Sequence, residues 1–109
     1  MATFFIDLDG TIFEHGTNFL LDGASEFLDK INDDDHDIIF TTRRGDEEFE
    51  GHKIFGKQNT IDALKTLGLV YKDILFNLSS PRIVVNDSGC GSVDIDPQKP
   101  LYPDLKELL

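Results

Sequence analysis

The hydrophobic residues of this chain form two kinds of pattern, short continuous runs and runs with helical spacing. The continuous runs are short, apolar and rich in β-branched residues, which is typical of buried strands in parallel sheets. They predict four strands, at residues 3–6, 37–42, 74–76 and 83–86.

The residues between these runs predict helices and two long connections. Ala24, Phe27, Leu28 and Ile31 follow the i, i+3, i+4, i+7 spacing of an amphipathic helix. A second helix is predicted around Ile61, Leu64 and Leu67, introduced by Asn59 or Thr60 and closed by Gly68, and a short third helix runs from Pro103 to Leu109. Residues 10–23 predict a structured flap or small hairpin, and residues 43–58 predict a long loop.

The alternation of strands and helices predicts an α/β protein with a parallel sheet. We expect a three-layer α/β/α, Rossmann-like arrangement with a minimal cap, formed as a single domain by residues 1–109. A chain of 109 residues is long enough for one core and too short for a separate capping domain.

Polar side chains follow three of the predicted strands. They are Asp7 and Asp9, then Thr41 and Thr42, then Asn86 and Asp87. The carboxyl ends of parallel strands meet at one edge of a sheet, where α/β proteins bind ligands. Carboxylates from two strands can hold Mg²⁺, while a threonine hydroxyl and the fork of Arg43 can hold phosphate oxygens. The simpler alternatives are a strand-terminal Asx turn at the aspartates and solvated cations at Arg43 and Arg44.

The composition narrows the choice of partners and compartment. The formal net charge of −11 disfavours binding to a nucleic-acid backbone, which needs a clustered basic surface. Cys90 is the single cysteine, so no internal disulfide can form, as in proteins of a reducing compartment. No apolar run is long enough to cross a membrane, and the first residues lack the features of a secretory signal. We therefore expect a cytoplasmic protein.

The order of these motifs resembles the haloacid dehalogenase (HAD) superfamily of phosphohydrolases, and in particular its small capless members. Residues 7–11, Asp-Leu-Asp-Gly-Thr, match the first motif of that superfamily in full. Residues 38–41 match the second motif, an apolar strand that ends in threonine or serine. Residues 83–87 resemble the fourth motif, an apolar strand that ends in an acidic pair or in Gly-Asp.

The resemblance implies a role for each matching residue. Asp7 would be the nucleophile that forms an aspartyl-phosphate, and Asp9 the general acid and then the general base. Thr41 would bind the transferring phosphoryl group, with Thr42 as the alternative one position along. Asp7, Asp9 and Asp87 would hold Mg²⁺, which with positive donors offsets the repulsion between a carboxylate and a phosphate.

The chain departs from the superfamily pattern in its third motif, which usually supplies a lysine. Residues 77–82 contain no lysine. Arg43 is the preferred substitute, because a strand at 83–86 would place Arg82 about 16 Å from Asp87, near the opposite edge of the sheet. Lys53 and Lys57 in the long loop are less favoured candidates.

The fourth motif is also incomplete. Asn86 stands where Asp or Gly is usual, and Gly91 stands where a further acid would follow Asp87.

The motifs leave two functions open. One is a Mg²⁺-dependent phosphatase acting on a small phosphorylated metabolite or a phosphoprotein, with a homodimer partner as a candidate lid. The other is a catalytically weak protein that binds phosphate or a partner through the same fold.

Overall fold

The computed structural model describes residues 1–46 and 55–109. Six elements follow one another along the chain: β1 (Thr3–Asp7), α1 (Ala24–Asp33), β2 (Asp37–Thr41), α2 (Lys57–Thr66), β3 (Asp73–Leu75) and α3 (Leu105–Leu108). Within the described ranges, no helix has the length and apolar character that crossing a membrane requires.

The three strands form one parallel sheet in the order β1-β2-β3. Asp7 lies beside Thr41 in the register of β1 and β2, and Thr41 lies beside Leu75 in the register of β2 and β3. The carboxyl ends of the strands therefore lie at one edge of the sheet. The predicted α/β class with a parallel sheet and alternating helices is confirmed.

The core lies on one face of this sheet. Ile6, Ile38 and Phe40, which share that face, cluster with the buried residues of α1 and with Leu64 of α2. The opposite face carries Phe5, which is 62% exposed, and Leu75, which is 40% exposed. The described helices thus pack on the first face. The described residues do not show the second helical layer that the three-layer prediction includes.

The flap at residues 10–23 forms a small hairpin, as predicted. Phe13 bridges antiparallel to Leu20, and the N–H of Leu21 donates a hydrogen bond to the carbonyl of Ile12 over 2.8 Å. Ile12 and Phe13 are fully buried, so the hairpin packs into the core rather than extending into solvent.

Both long helices form where their apolar spacing predicted them. The buried residues of α1 are the four that define its apolar face, Ala24, Phe27, Leu28 and Ile31. The second helix begins at Lys57 after its N-cap Gly56, three residues before Asn59, the earlier of the two predicted caps. Thr60, which was a candidate cap, is instead a buried residue inside the helix.

The predicted fourth strand is wrong. Residues 83–86 have no strand structure, and Ile83, Val84 and Val85 are 81%, 67% and 90% exposed. A β-branched run has the propensity for a strand, but pairing decides whether a strand forms. In this fold, β1 pairs with β2 along one of its edges. Residues 83–86 do not pair with the other edge of β1.

Candidate functional site

The candidate site begins at the carboxyl ends of β1 and β2. Asp7 and Thr41 are register partners, so their side chains project from the same face of the sheet. The backbone continues this pairing past β1, because the N–H of Leu8 donates to the carbonyl of Thr41 over 3.2 Å. The sequence-predicted nucleophile and phosphate-binding residue are thus neighbours across two strands.

Arg82 is the cation that contacts Asp7. Its Nη1 lies 3.1 Å from Asp7 Oδ1, and its Nη2 donates a hydrogen bond to the carbonyl of Leu78 over 3.4 Å. Both side chains of the pair are partly exposed, Arg82 by 28% and Asp7 by 35%. The expectation that Arg82 lies near the opposite edge of the sheet is wrong, because it assumed a strand at 83–86 that does not form.

The environment of Asp7 raises the pKa of its carboxyl group. Burial is the largest cause, because it disfavours the charged form. The positive charge of Arg82 acts in the opposite direction, and the negative charge of Asp9 raises the pKa further. A carboxylate that is partly desolvated and beside a cation is a reasonable nucleophile, since desolvation strengthens its reactivity and the cation offsets charge.

Arg44 is a buried charged group of the site, with 1% of its side chain exposed. Its Nε and Nη2 bind Asp9 in a fork, 3.0 Å from Oδ2 and 2.7 Å from Oδ1. Nη2 also donates to the carbonyl of Thr17 over 2.7 Å, and Nη1 donates to Asn18 Oδ1 over 2.6 Å and to Thr60 Oγ1 over 3.3 Å. These bonds use all the donor hydrogens that a guanidinium offers.

Aromatic rings enclose this guanidinium. Its central carbon lies 5.1 Å from the centre of the Phe13 ring and 5.2 Å from that of Phe55. Arginine is suited to such a position, because its planar group stacks on rings while its edge donates hydrogen bonds. The sequence patterns did not single out this residue. Two adjacent arginines in a charged loop look alike in sequence.

The remaining predicted phosphate-binding residues have different surroundings. Thr42 is fully buried, and its hydroxyl accepts a hydrogen bond from the N–H of Arg44 over 3.0 Å. Thr41 is 8% exposed, and none of the described residues forms a hydrogen bond with its hydroxyl. Arg43 is exposed at the start of the loop. Thr41 is therefore better placed than Thr42 to offer a hydroxyl to a ligand.

Gly10 has a backbone that other residues tolerate poorly. Its φ of +84° is in the left-handed region, and the imidazole of His15 occupies the place where a Cβ would be. His15 therefore packs directly on the chain between the aspartates and the flap. The left-handed backbone and the contact with His15 therefore explain why a glycine is needed at position 10 in this fold.

Asp87 does not join Asp7 and Asp9. It is exposed in an irregular segment, where its Oδ1 accepts a hydrogen bond from the N–H of Ser88 over 2.8 Å. In the described ranges, no three His, Cys, Asp or Glu side chains form a group that could hold a metal ion. Each of the two site aspartates is instead paired with an arginine. The residues in this arrangement do not fit the Mg²⁺ site that the motifs imply.

Two lysines are the less favoured candidate cations. Lys57 begins α2, and its Nζ lies 5.9 Å from the centre of the Phe76 ring. Lys53 and half of the predicted loop at 43–58, residues 47–54, fall outside the described residues. Among the described residues, Arg82 is the cation for which the structure gives an ion pair with Asp7.

Comparison with known proteins identifies a relative in fold. A crystal structure of a target protein from Vibrio cholerae matches with a TM-score of 0.63 and 21% sequence identity. The match covers 99% of this chain and 94% of the other. No model of a known protein family matches the chain, and no curated protein sequence matches it significantly. The structural likeness shows the α/β fold alone.

Proposed function

We propose that this chain is a phosphomonoester hydrolase of the HAD type that acts through an aspartyl-phosphate on Asp7. The observation that supports this most is the position of Asp7, a half-buried carboxylate at the carboxyl end of β1, beside Thr41 and paired with Arg82. A nucleophile, an available hydroxyl and a cation at one sheet edge are the components that phosphoryl transfer needs.

In the first step, an oxygen of Asp7 attacks the phosphorus of the ester. The bond from phosphorus to the ester oxygen breaks, and Asp9, which enters this step in its protonated form, supplies a proton to the leaving alcohol. In the second step, water attacks the phosphorus of the aspartyl-phosphate, Asp9 accepts a proton, and phosphate leaves while the Asp7 carboxylate is restored. Arg82 offsets the negative charge that gathers when a carboxylate approaches a phosphate.

The substrate class follows from charge and access. The net charge of −11 disfavours nucleic-acid ends, which carry many phosphates, so a small phosphorylated metabolite or a phosphoprotein is the favoured substrate of the partly exposed Asp7. Neither step is assigned to Mg²⁺, because the described carboxylates do not form a site for it. The resemblance still implies that metal, so the test includes it.

The test is hydrolysis of p-nitrophenyl phosphate by wild type and by Asp7→Asn, each with Mg²⁺ and with EDTA. Asp37→Asn is the matched control, because Asp37 is also a strand residue paired with a cation, Lys72, at 3.4 Å. Asp37 starts β2 and so lies at the opposite edge of the sheet. We expect Asp7→Asn to remove turnover and Asp37→Asn to retain it. Equal turnover in wild type and Asp7→Asn would overturn the proposal.

A second function, binding of phosphate with weak or no turnover, has its own supporting observation. Arg44 already holds both oxygens of Asp9, and the third acidic group, Asp87, lies elsewhere. Calorimetry with inorganic phosphate separates the two functions. Phosphate binding that Arg82→Gln weakens, without hydrolysis of any ester in a broad panel, would favour the binding protein.

A further inference from the structure

Arg44 joins parts of the chain that are distant in sequence. Its guanidinium contacts Asp9 after β1, Thr17 and Asn18 in the flap, and Thr60 in α2. It also lies between the rings of Phe13 in the flap and Phe55 before α2. No other side chain among the described residues has hydrogen bonds to so many segments.

We infer that Arg44 is a positioning residue that fixes the Asp9 carboxylate and the flap as one unit. Two contacts of one nitrogen carry this inference: Nη2 lies 2.7 Å from Asp9 Oδ1 and 2.7 Å from the Thr17 carbonyl. A change in the position of either segment therefore changes the geometry of the other. The fork to both oxygens of Asp9 also fixes the rotation of that carboxylate.

The fork leaves part of the Asp9 carboxylate available. Each carboxylate oxygen has two lone-pair positions, and Arg44 occupies one on each oxygen. The Asp9 side chain remains 23% exposed. Arg44 itself is 1% exposed and has no donor left for a ligand, so it acts through Asp9 and the flap rather than on a substrate.

The consequence for catalysis rests on the proposed function. Asp9 would transfer the proton to the leaving alcohol, and Asp7 would attack phosphorus. Loss of the fork should therefore slow the first step more for esters with a poor leaving group than for esters with a good one, because only the former need the proton in that step. A residue with a purely structural role would reduce the rate of the first step by the same factor for both esters.

The experiment compares wild type, Arg44→Lys and Lys65→Arg. Lysine at position 44 keeps the charge and loses the planar fork. Lys65→Arg is the control, because it also keeps the charge and lies at an exposed position of α2. The first measurement is amide hydrogen exchange of the flap and of α1. We expect Arg44→Lys to reduce protection in the flap about tenfold, since a bond to a charged group is worth roughly that factor, and to leave α1 unchanged.

The second measurement is kcat/KM for phenyl phosphate and for p-nitrophenyl phosphate, which reports the steps up to release of the alcohol and not the later hydrolysis that both esters share. We expect Arg44→Lys to reduce kcat/KM for phenyl phosphate at least about tenfold more than for p-nitrophenyl phosphate. Lys65→Arg should alter neither the ratio of the two kcat/KM values nor the hydrogen exchange.

Equal loss of protection in the flap and α1, or unchanged protection in the flap, would overturn the inference. So would an equal loss of kcat/KM on the two esters. A wild type that hydrolyses neither ester would count against the proposed function instead, and the exchange measurement would still decide whether Arg44 fixes the flap.

Discussion

Replacement of Arg44 by methionine should destabilise the protein more than any other single change of a charged residue in the site. Methionine keeps much of the length and the apolar stem of arginine but has no donor. The change leaves Asp9 without its cation and removes the donor for Asn18, Thr60 and the Thr17 carbonyl. Arg44 is 1% exposed, so water cannot replace these bonds unless the surrounding chain moves.

The magnitude follows from the ion pair. Removal of one partner of a buried pair costs about 3–5 kcal/mol. Because the Asp9 side chain is 23% exposed, solvent screens its unpaired charge, and we expect about 3 kcal/mol, at the lower end of that range. For a domain of this size, such a loss lowers the melting temperature by roughly 10–20 °C.

The assay is urea unfolding followed by circular dichroism, which gives the free energy of unfolding and the slope m. Lys65→Met is the matched control, because it also replaces one positive side chain by methionine, at an exposed position of α2. The control should change stability by about 0.5 kcal/mol or less, as exposed substitutions do. A loss below about 1 kcal/mol for Arg44→Met, at unchanged m, would refute the reasoning that the buried network stabilises the fold.

Three other changes test further parts of the structure. Leu64→Ala removes a fully buried side chain from the core and should cost about 2–5 kcal/mol in urea unfolding, whereas a loss near zero would place Leu64 outside the core. Gly10→Ala should destabilise the fold, because φ is +84° and His15 occupies the Cβ position; His15→Ala in the same chain should recover only the steric part. Burial raises the pKa of Tyr102 to about 12, so its stabilising effect should be complete below about pH 10 and lost as the pH rises towards 12. The phenolate absorbance, compared with Tyr102→Phe, measures this pKa, and ionisation near pH 10 would contradict it.

The first half of the fold could be predicted from sequence because local pattern and tertiary packing agree there. The residues that define the apolar stripe of α1 are the same ones that enter the core, and β1 and β2 are continuous apolar runs that end in polar groups. The start of α2 differs from prediction because a tertiary contact competes with local preference. Thr60 could cap a helix, but here its hydroxyl accepts a bond from Arg44.

Arg44 and Arg82 show what the sequence could not indicate. Arg43 and Arg44 have equal local character, and only the folded positions of Asp9, Asn18 and Thr17 decide which one becomes buried. Arg82 contacts Asp7 because residues 83–86 do not add to β1. A parallel strand there would start beside Thr3, about 13 Å from Asp7, and would separate the pair. Strand propensity describes residues 83–86 alone, so it cannot predict whether they pair with β1 or leave Arg82 in contact with Asp7.

The same geometry connects metal binding with the ion pair. If turnover requires Mg²⁺ bound at Asp7, the ion would compete with Arg82 for the Asp7 carboxylate, whose Oδ1 now lies 3.1 Å from Arg82 Nη1. Activity that requires Mg²⁺ and is raised by Arg82→Gln would indicate such an exchange. Activity that is independent of Mg²⁺ and is lost in Arg82→Gln would indicate that the guanidinium offsets the charge at Asp7 by itself.

The most direct measurement is capture of the phosphoryl group on the protein. Asp9→Asn is mixed with p-nitrophenyl phosphate, quenched in acid and digested, and the modified peptide is located by mass spectrometry. Nitrophenolate needs no proton to leave, while hydrolysis of the intermediate needs Asp9, so the intermediate should accumulate. We predict one phosphoryl group on the peptide that contains Asp7 and none in Asp7→Asn/Asp9→Asn. Release of nitrophenolate by Asp9→Asn with no phosphoryl group on Asp7 would contradict the account.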